Sequence, residues 1–247
     1  TGESVNWVQY LAAGSQTLTF SLSTGWNWIS TIMEKIGDPI TFLSPVKDQV
    51  KRLQNQFEEL TNDPKYGLTG NLKTLTPKSS YKLEMSGDGK IDVVGTTLTP
   101  DQVTIDLNKG WNWIGYIPRA AASPTMALSL LSANANDEIK GQRGFAKFNG
   151  TSWVGTLKQM VPGEGYMYYA NTKQSFRYAM IYNTLLSASL KSAVSKPVDV
   201  WSVDIHKYPN NMSIVADLWD GQVKQEPEVY KVGAFVGEEC RGIGQYV

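Results

Sequence analysis

The chain holds one histidine, His206, and one cysteine, Cys240, so the commonest nucleophilic and metal-binding chemistries have almost nothing to draw on. A Ser-His-Asp or Cys-His site would need His206, which lies in a strand-like run and reads as an ordinary half-exposed histidine. Cys240 follows Glu238 and Glu239, whose charge raises a thiol pKa. Arg241 offsets this only in part, so a structural role is favoured. The run Ser86-Gly87-Asp88-Gly89-Lys90-Ile91-Asp92 resembles a calcium loop, with Glu84, Ser86, Asp88 and Asp92 at ligand positions when Gly89 is set at the loop glycine. The final bidentate carboxylate would fall on Gly95, however, and Asp88-Gly89 makes an equally good hairpin turn. Neither a metal nor a cofactor is expected.

Aromatic residues carry a stronger signal. Gly25-Trp26-Asn27-Trp28-Ile29 and Gly110-Trp111-Asn112-Trp113-Ile114 spell one pentapeptide twice and use four of the eight tryptophans. Such a pair could stack on sugar rings while the asparagine amide bonds hydroxyls. Alternation on a strand opposes this, because Trp and Asn on successive residues point to opposite faces and do not reach one ligand together. A small β module also needs bulky groups to acquire a core at all. Trp26, Trp28, Trp111 and Trp113 are therefore expected to be core. Tyr66, Trp153, Tyr168 and Tyr169, near turns or on a strand with two faces, are the better candidates for a ligand-binding role.

The elements that must position these residues follow from the repeat. The pentapeptides are offset by 85 residues (Gly25 to Gly110), and the same offset superposes Asp38-Pro39 on Ser123-Pro124 and Gly70, Leu72, Pro77 and Tyr81 on Gly155, Leu157, Pro162 and Tyr166. Two copies of one β-rich module are expected, at 16–98 and 101–179. Residues 1–15 are expected to form an N-terminal lead-in strand, 180–199 a linker and 200–247 an incomplete β-sandwich-like domain. Leu18, Phe20 and Leu22, and Val103, Ile105 and Leu107, alternate before each pentapeptide, so each module is expected to open with a hairpin whose second strand is WNWI. Asp38 and Ser123, each followed by proline, are N-caps of a short helix. Module 2 continues as a meander of FAKF, SWVGTL and YMYYA. In module 1, Leu43, Val46, Val50, Leu53, Phe57 and Leu60 have helical spacing, whereas a shared fold requires strand within 50–57, and both readings stay open. Matching Asp137-Glu138-Ile139-Lys140 to Asp48-Gln49-Val50-Lys51 requires a register shift of four residues. VWSVDI, NMSIVADLW and YKVGAFV are expected strands of the last domain. The fold class is thus mainly β, with one short helix per module.

Lys plus Arg and Asp plus Glu number 23 each, so no long-range field recruits nucleic acid or an anionic membrane. No apolar run is long enough to span a bilayer, and the sequence begins at Thr1 with no basic and apolar leader, so any export signal is expected either to have been removed or never to have been included in this sequence. The lone cysteine excludes an intramolecular disulfide framework.

GWNWIS and GWNWIG, the run DEIKGQRGFAKFNGTSWVGTLKQMVPGEGYMYY, and VYKVGAFVGEECRGIG resemble modules of large secreted and cell-surface proteins of Bacteroidetes bacteria. In those proteins the first two motifs occur as tandem repeats, and the third opens a β-sandwich-like module. The resemblance implies an exported, surface-located protein that binds or displays something, and it supplies no catalytic residues. Paired carboxylates for glycoside hydrolysis are a matter of spatial separation, and two short repeats give no sign of a large catalytic cleft. The expected function is a non-catalytic binding or adhesion segment of a larger surface protein, with a glycan, or else a surface protein, as partner. The alternatives are a structural spacer displaying a neighbouring domain and an accessory module of a polysaccharide-degrading enzyme.

Overall fold

The computed structural model describes residues 16–181, 201–215, 217, 219–220, 223–224 and 232–244. The expected lead-in strand 1–15, and all but the first two residues of the expected linker 180–199, lie outside the described residues.

The chain is mainly β. Module 1 contains β1 (Gln16–Leu22), β2 (Gly25–Ile29), α1 (Pro39–Leu43), β3 (Val50–Gln54), β4 (Glu59–Asp63), β5 (Gly67–Gly70), β6 (Tyr81–Met85) and β7 (Gly89–Gly95). Module 2 contains β8 (Ile105–Leu107), β9 (Gly110–Gly115), α2 (Pro124–Ala127), β10 (Glu138–Gly141), β11 (Gly144–Phe148), β12 (Trp153–Gly155), β13 (Gly165–Ala170) and β14 (Gln174–Phe176). Each has a five-stranded antiparallel sheet, β2-β6-β3-β4-β5 or β9-β13-β10-β11-β12, and a two-stranded sheet, β1-β7 or β14-β8. The repeat is therefore structural as well as sequential.

The opening hairpin does not form. β1 pairs with β7 over the full length Gln16 to Leu22, and β2 pairs with β6, so the chain changes sheets at Ser23-Thr24. Gly25 and Gly110 make that corner possible with φ of +91° and +96°, a region L side chains rarely occupy. The meander is realised only in part: β11 and β12 pair across Asn149-Gly150, but β13 lies on the far side, between β10 and β9. Helical spacing in module 1 is split between α1, a 3-10 turn at Ser44–Val46, and strands β3 and β4. Leu53 faces both Leu60 and Leu83, and Ile139 faces both Ala146 and Tyr168. The offset in this region is thus 86 residues and not the shift of four suggested by Asp48 and Asp137. Asp38 accepts hydrogen bonds from Ile40 and Thr41 N–H, and Ser123 from Met126 N–H, so both helices carry the expected caps.

One apolar core lies in each module. Core 1 includes Phe20, Leu43, Val50, Leu53, Leu83 and Met85, and core 2 includes Leu107, Ile114, Tyr116, Ile139, Tyr166 and Tyr168. Residues 201–215 contain no strand, contrary to the expectation for the described part of VWSVDI, and among the described residues of the C-terminal region β15 (Trp219–Asp220) pairs with β16 (Val223–Lys224) and β17 (Gly233–Val236) with β18 (Glu239–Ile243). Trp201 packs edge-on against Phe235, and Glu239 accepts from Lys207 Nζ and Tyr208 Oη, so the 201–208 segment is tied to the β17–β18 hairpin.

Candidate functional site

The pentapeptides lie where the two modules meet. Asn27 and Ile29, like Asn112 and Ile114, point to the core side, and the four tryptophans point the other way. Asn27 is buried and binds its own turn: Oδ1 accepts from Ser23 N–H at 2.9 Å, and Nδ2 donates to the Ser23 carbonyl at 2.7 Å. Asn112 repeats this at 2.8 Å in both directions with Asn108. The asparagine therefore locks the corner that the glycine permits.

None of the four tryptophans joins the apolar cluster of its own module, although Trp26 and Trp28 count among the buried hydrophobic residues of the chain. Trp111 and Trp113 are half-buried. The reason is the period of two: once Asn and Ile take the core side, the Trp side must be covered by something outside the module's own sheet.

That cover comes largely from reciprocal contacts between the modules. Gln142, in the β10–β11 turn, donates to the Trp26 carbonyl at 2.6 Å and accepts from Trp28 N–H at 2.9 Å. Gln56, in the β3–β4 turn, donates to the Trp111 carbonyl at 2.8 Å and accepts from Trp113 N–H at 2.9 Å. Each glutamine amide thus satisfies the outer backbone groups of the other module's edge strand. Ser30 N–H donates to the Gly163 carbonyl at 2.9 Å, and Gly115 N–H to the Lys78 carbonyl at 3.0 Å, again at equivalent positions.

Lys82 lies at the middle of this seam. It is 1% exposed, with Nζ 4.2 Å from the Trp28 ring centroid and 4.4 Å from that of Trp113, and it donates to Asn210 Oδ1 at 2.7 Å. Burial lowers its pKa to about 8. The second tryptophan of each pentapeptide therefore forms one wall of a cation–π sandwich. The equivalent position in module 2 is Met167, opposite Trp113.

The first tryptophans differ in surroundings. Trp26 N–H donates to the His206 carbonyl at 2.5 Å, and His206 Nδ1 lies 2.5 Å from the Trp26 carbonyl. Trp111 instead meets Tyr169 edge to face at 5.3 Å, with Lys140 Nζ 4.7 Å from its ring and Glu138 beside Lys140 at 3.3 Å. Trp111, Tyr169, Lys140 and Glu138 share the outer face of the module 2 sheet.

The four proposed ligand-binding aromatics do not converge. Tyr168 is fully buried and donates to Asp137 at 2.8 Å. Burial first, and the Asp137 carboxylate second, hold its hydroxyl pKa far above that of a free tyrosine. Tyr168 thus faces the core, and its neighbour Tyr169 takes the outer face. Trp153 is half-buried against Phe148 and Tyr168 on the core side. Tyr66 is 69% exposed at the β4–β5 turn, under Lys65, in the other module. Only Tyr169 sits in an outward aromatic pair.

Sequence reasoning missed Gln56, Gln142 and Lys82. The glutamines recur at an offset of 86, one residue away from the main register, and Lys82 stands out only as a charge facing Trp28 across an apolar strand pair. The run Ser86–Asp92 covers the β6–β7 turn and the start of β7: Asp88 in the turn accepts from Thr24 N–H and Oγ1, and Asp92 on the strand accepts from Thr19 Oγ1. Among the described residues no group of three or more His, Cys, Asp or Glu side chains is placed to hold a metal ion. A cleft of about 360 Å³ lies in module 1 beside α1, lined by Asp38, Ile40, Leu60, Leu68, Leu72 and Lys73. No family model, curated protein or solved structure matches the chain.

Proposed function

We propose that this chain is a non-catalytic binding segment of a larger exported surface protein, that carbohydrate is its ligand class, and that the ligand stacks on the outer face at Trp111 and Tyr169. The observation that carries this reading is the inequality of the two Trp faces. In module 1 the first tryptophan is buried under the chain's own His206 segment, while in module 2 the equivalent Trp111 stays half-exposed beside Tyr169. A half-exposed aromatic pair offers apolar stacking area, and Lys140 and Glu138 beside it offer a donor and an acceptor for hydroxyls. Export and surface location rest on the resemblance of the GWNW repeats.

The test is a screen of the purified chain against plant, host and bacterial glycans, repeated with Trp111→Ala and Tyr169→Ala. Competable binding to one glycan class, weakened about tenfold or more by either substitution, supports the reading. Silence from folded protein across the array, or binding that survives both substitutions, removes it. A second reading, a structural spacer that displays a neighbouring domain, is favoured by the reciprocal glutamine contacts, which couple the two modules into one stiff unit.

A further inference from the structure

The repeat supplies an internal comparison between two edges built alike. At the edge of β2, the His206 carbonyl receives the Trp26 N–H, and the segment approaches so closely that a Cβ on Gly25 would lie 2.3 Å from that carbonyl oxygen. Gln142 donates further to the Ile205 carbonyl at 3.2 Å, and Asn211 Nδ2 to the Gly141 carbonyl at 2.9 Å. A turn of chain around His206, closed by the Lys207 N–H on the Asp204 carbonyl, therefore caps this edge.

At the edge of β9 the same frame is in place, with no equivalent turn of chain among the described residues. Backbone groups alternate along an antiparallel strand, so the Trp111 N–H points outward together with the Trp111 carbonyl and Trp113 N–H that Gln56 engages. Among the described residues this N–H meets no acceptor, and a Cβ on Gly110 would meet nothing within 4 Å. Lys140 and Glu138 flank Trp111 here, but two neighbouring positions exchange a polar side chain for an apolar one. Met167 stands in the place of Lys82, and Phe57, which follows Gln56 and is 82% exposed, stands in the place of Arg143. Phe57 is a large apolar side chain left in water beside the residue that clamps this edge.

We propose that the outer edge of β9 at Gly110-Trp111 docks a peptide turn of a partner protein that carries an apolar side chain, with one backbone carbonyl accepting from the Trp111 N–H. The precedent is the chain's own 203–211 segment on the equivalent edge. The difference is chemical: where Asn210 accepts from Lys82, the partner presents an apolar residue to Met167. The backbone carbonyl gives attachment beside the groups that Gln56 already holds, and the side-chain contacts give selectivity.

The inference does not rest on the glycan reading, and its test leaves that reading untouched. The probe is a synthetic peptide of residues 203–211 carrying Asn210→Leu, added at about 2 mM to the full chain, an amount that saturates a site of modest affinity. Amide hydrogen exchange is read at Trp111 and Trp26. The expected result is exchange slowed about tenfold at Trp111 with Trp26 unchanged, and weaker peptide binding after Phe57→Ser, a fully exposed change that leaves the fold intact. Unchanged exchange at Trp111, or protection confined to Trp26, overturns the proposal. Peptide protection with a silent glycan screen removes only the carbohydrate reading, and glycan binding without peptide protection removes only this one.

Discussion

Lys82 shows how much one position can depend on its partners. Its pKa of about 8 in the folded chain lies below the ordinary value of 10.5, so burial penalises the charged form. Below about pH 8 both folded and unfolded chains carry the proton and the penalty is fully present. Between 8 and 10.5 the unfolded chain holds more protons, so stability rises with pH through that window. Buried Tyr116, Tyr166 and Tyr168, held protonated by burial, act in the opposite direction above pH 10, so the measurement belongs between about 8 and 9.5. Lys82→Met, the residue module 2 uses, is expected to raise stability at pH 7 by about 1 to 2 kcal/mol, the two rings having returned part of the desolvation cost. It should also flatten the rise in urea midpoint between pH 8 and 9.5, and a wild-type midpoint that does not move there defeats the argument. Asn27→Ala removes a buried amide that satisfies both ends of its turn. A loss of about 1 to 3 kcal/mol is expected, read as a lower urea midpoint, with Asn112→Ala behaving alike.

At the scale of elements, β3 is where sequence and structure met most directly. Its helical spacing is real, yet Val50 and Leu53 are buried in the sheet because α1 and the 3-10 turn consume the first part of the periodic run. Leu53→Ala, at 0% exposure between Leu60 and Leu83, should cost about 2 to 5 kcal/mol by denaturant titration. The repeat, the β class and both helix caps were legible because they depend on local spacing and turn chemistry. Tyr81 and Tyr166 recur because each hydroxyl accepts a backbone N–H five residues back, from Thr76 and Val161. The pairing of β1 with β7 was not legible, since a strand followed by a glycine corner reads as a hairpin whichever sheet receives it. The site was less legible still. Alternation correctly set Trp against Asn, but which face becomes the core depends on Leu83 and Tyr168 across the sheet. The cover over the Trp face comes from Gln142, 114 and 116 residues from the tryptophans it serves, from Gln56, 55 and 57 residues from its own pair, and from residue 206.

For the whole molecule, the seam makes the two modules mechanically one. Gly115 sits so close to the first module that a Cβ would fall 2.0 Å from the Pro77 carbonyl oxygen. Gly115→Val should therefore push the modules apart while leaving each core in place. The wild-type chain is expected to melt the two modules in a single calorimetric transition, and the variant in two resolved ones. A variant that still melts in one step would show that the cores, not the seam, set the cooperativity. The reciprocity of the seam has one more consequence. Ile29 bridges to Glu164 and Ser79 to Ile114, so each module offers the other the same patch that it receives. An isologous contact of this kind closes on itself: two modules exhaust it, and a third finds no free patch to join. Modules joined in this way count in pairs and cannot grow into a filament through that surface.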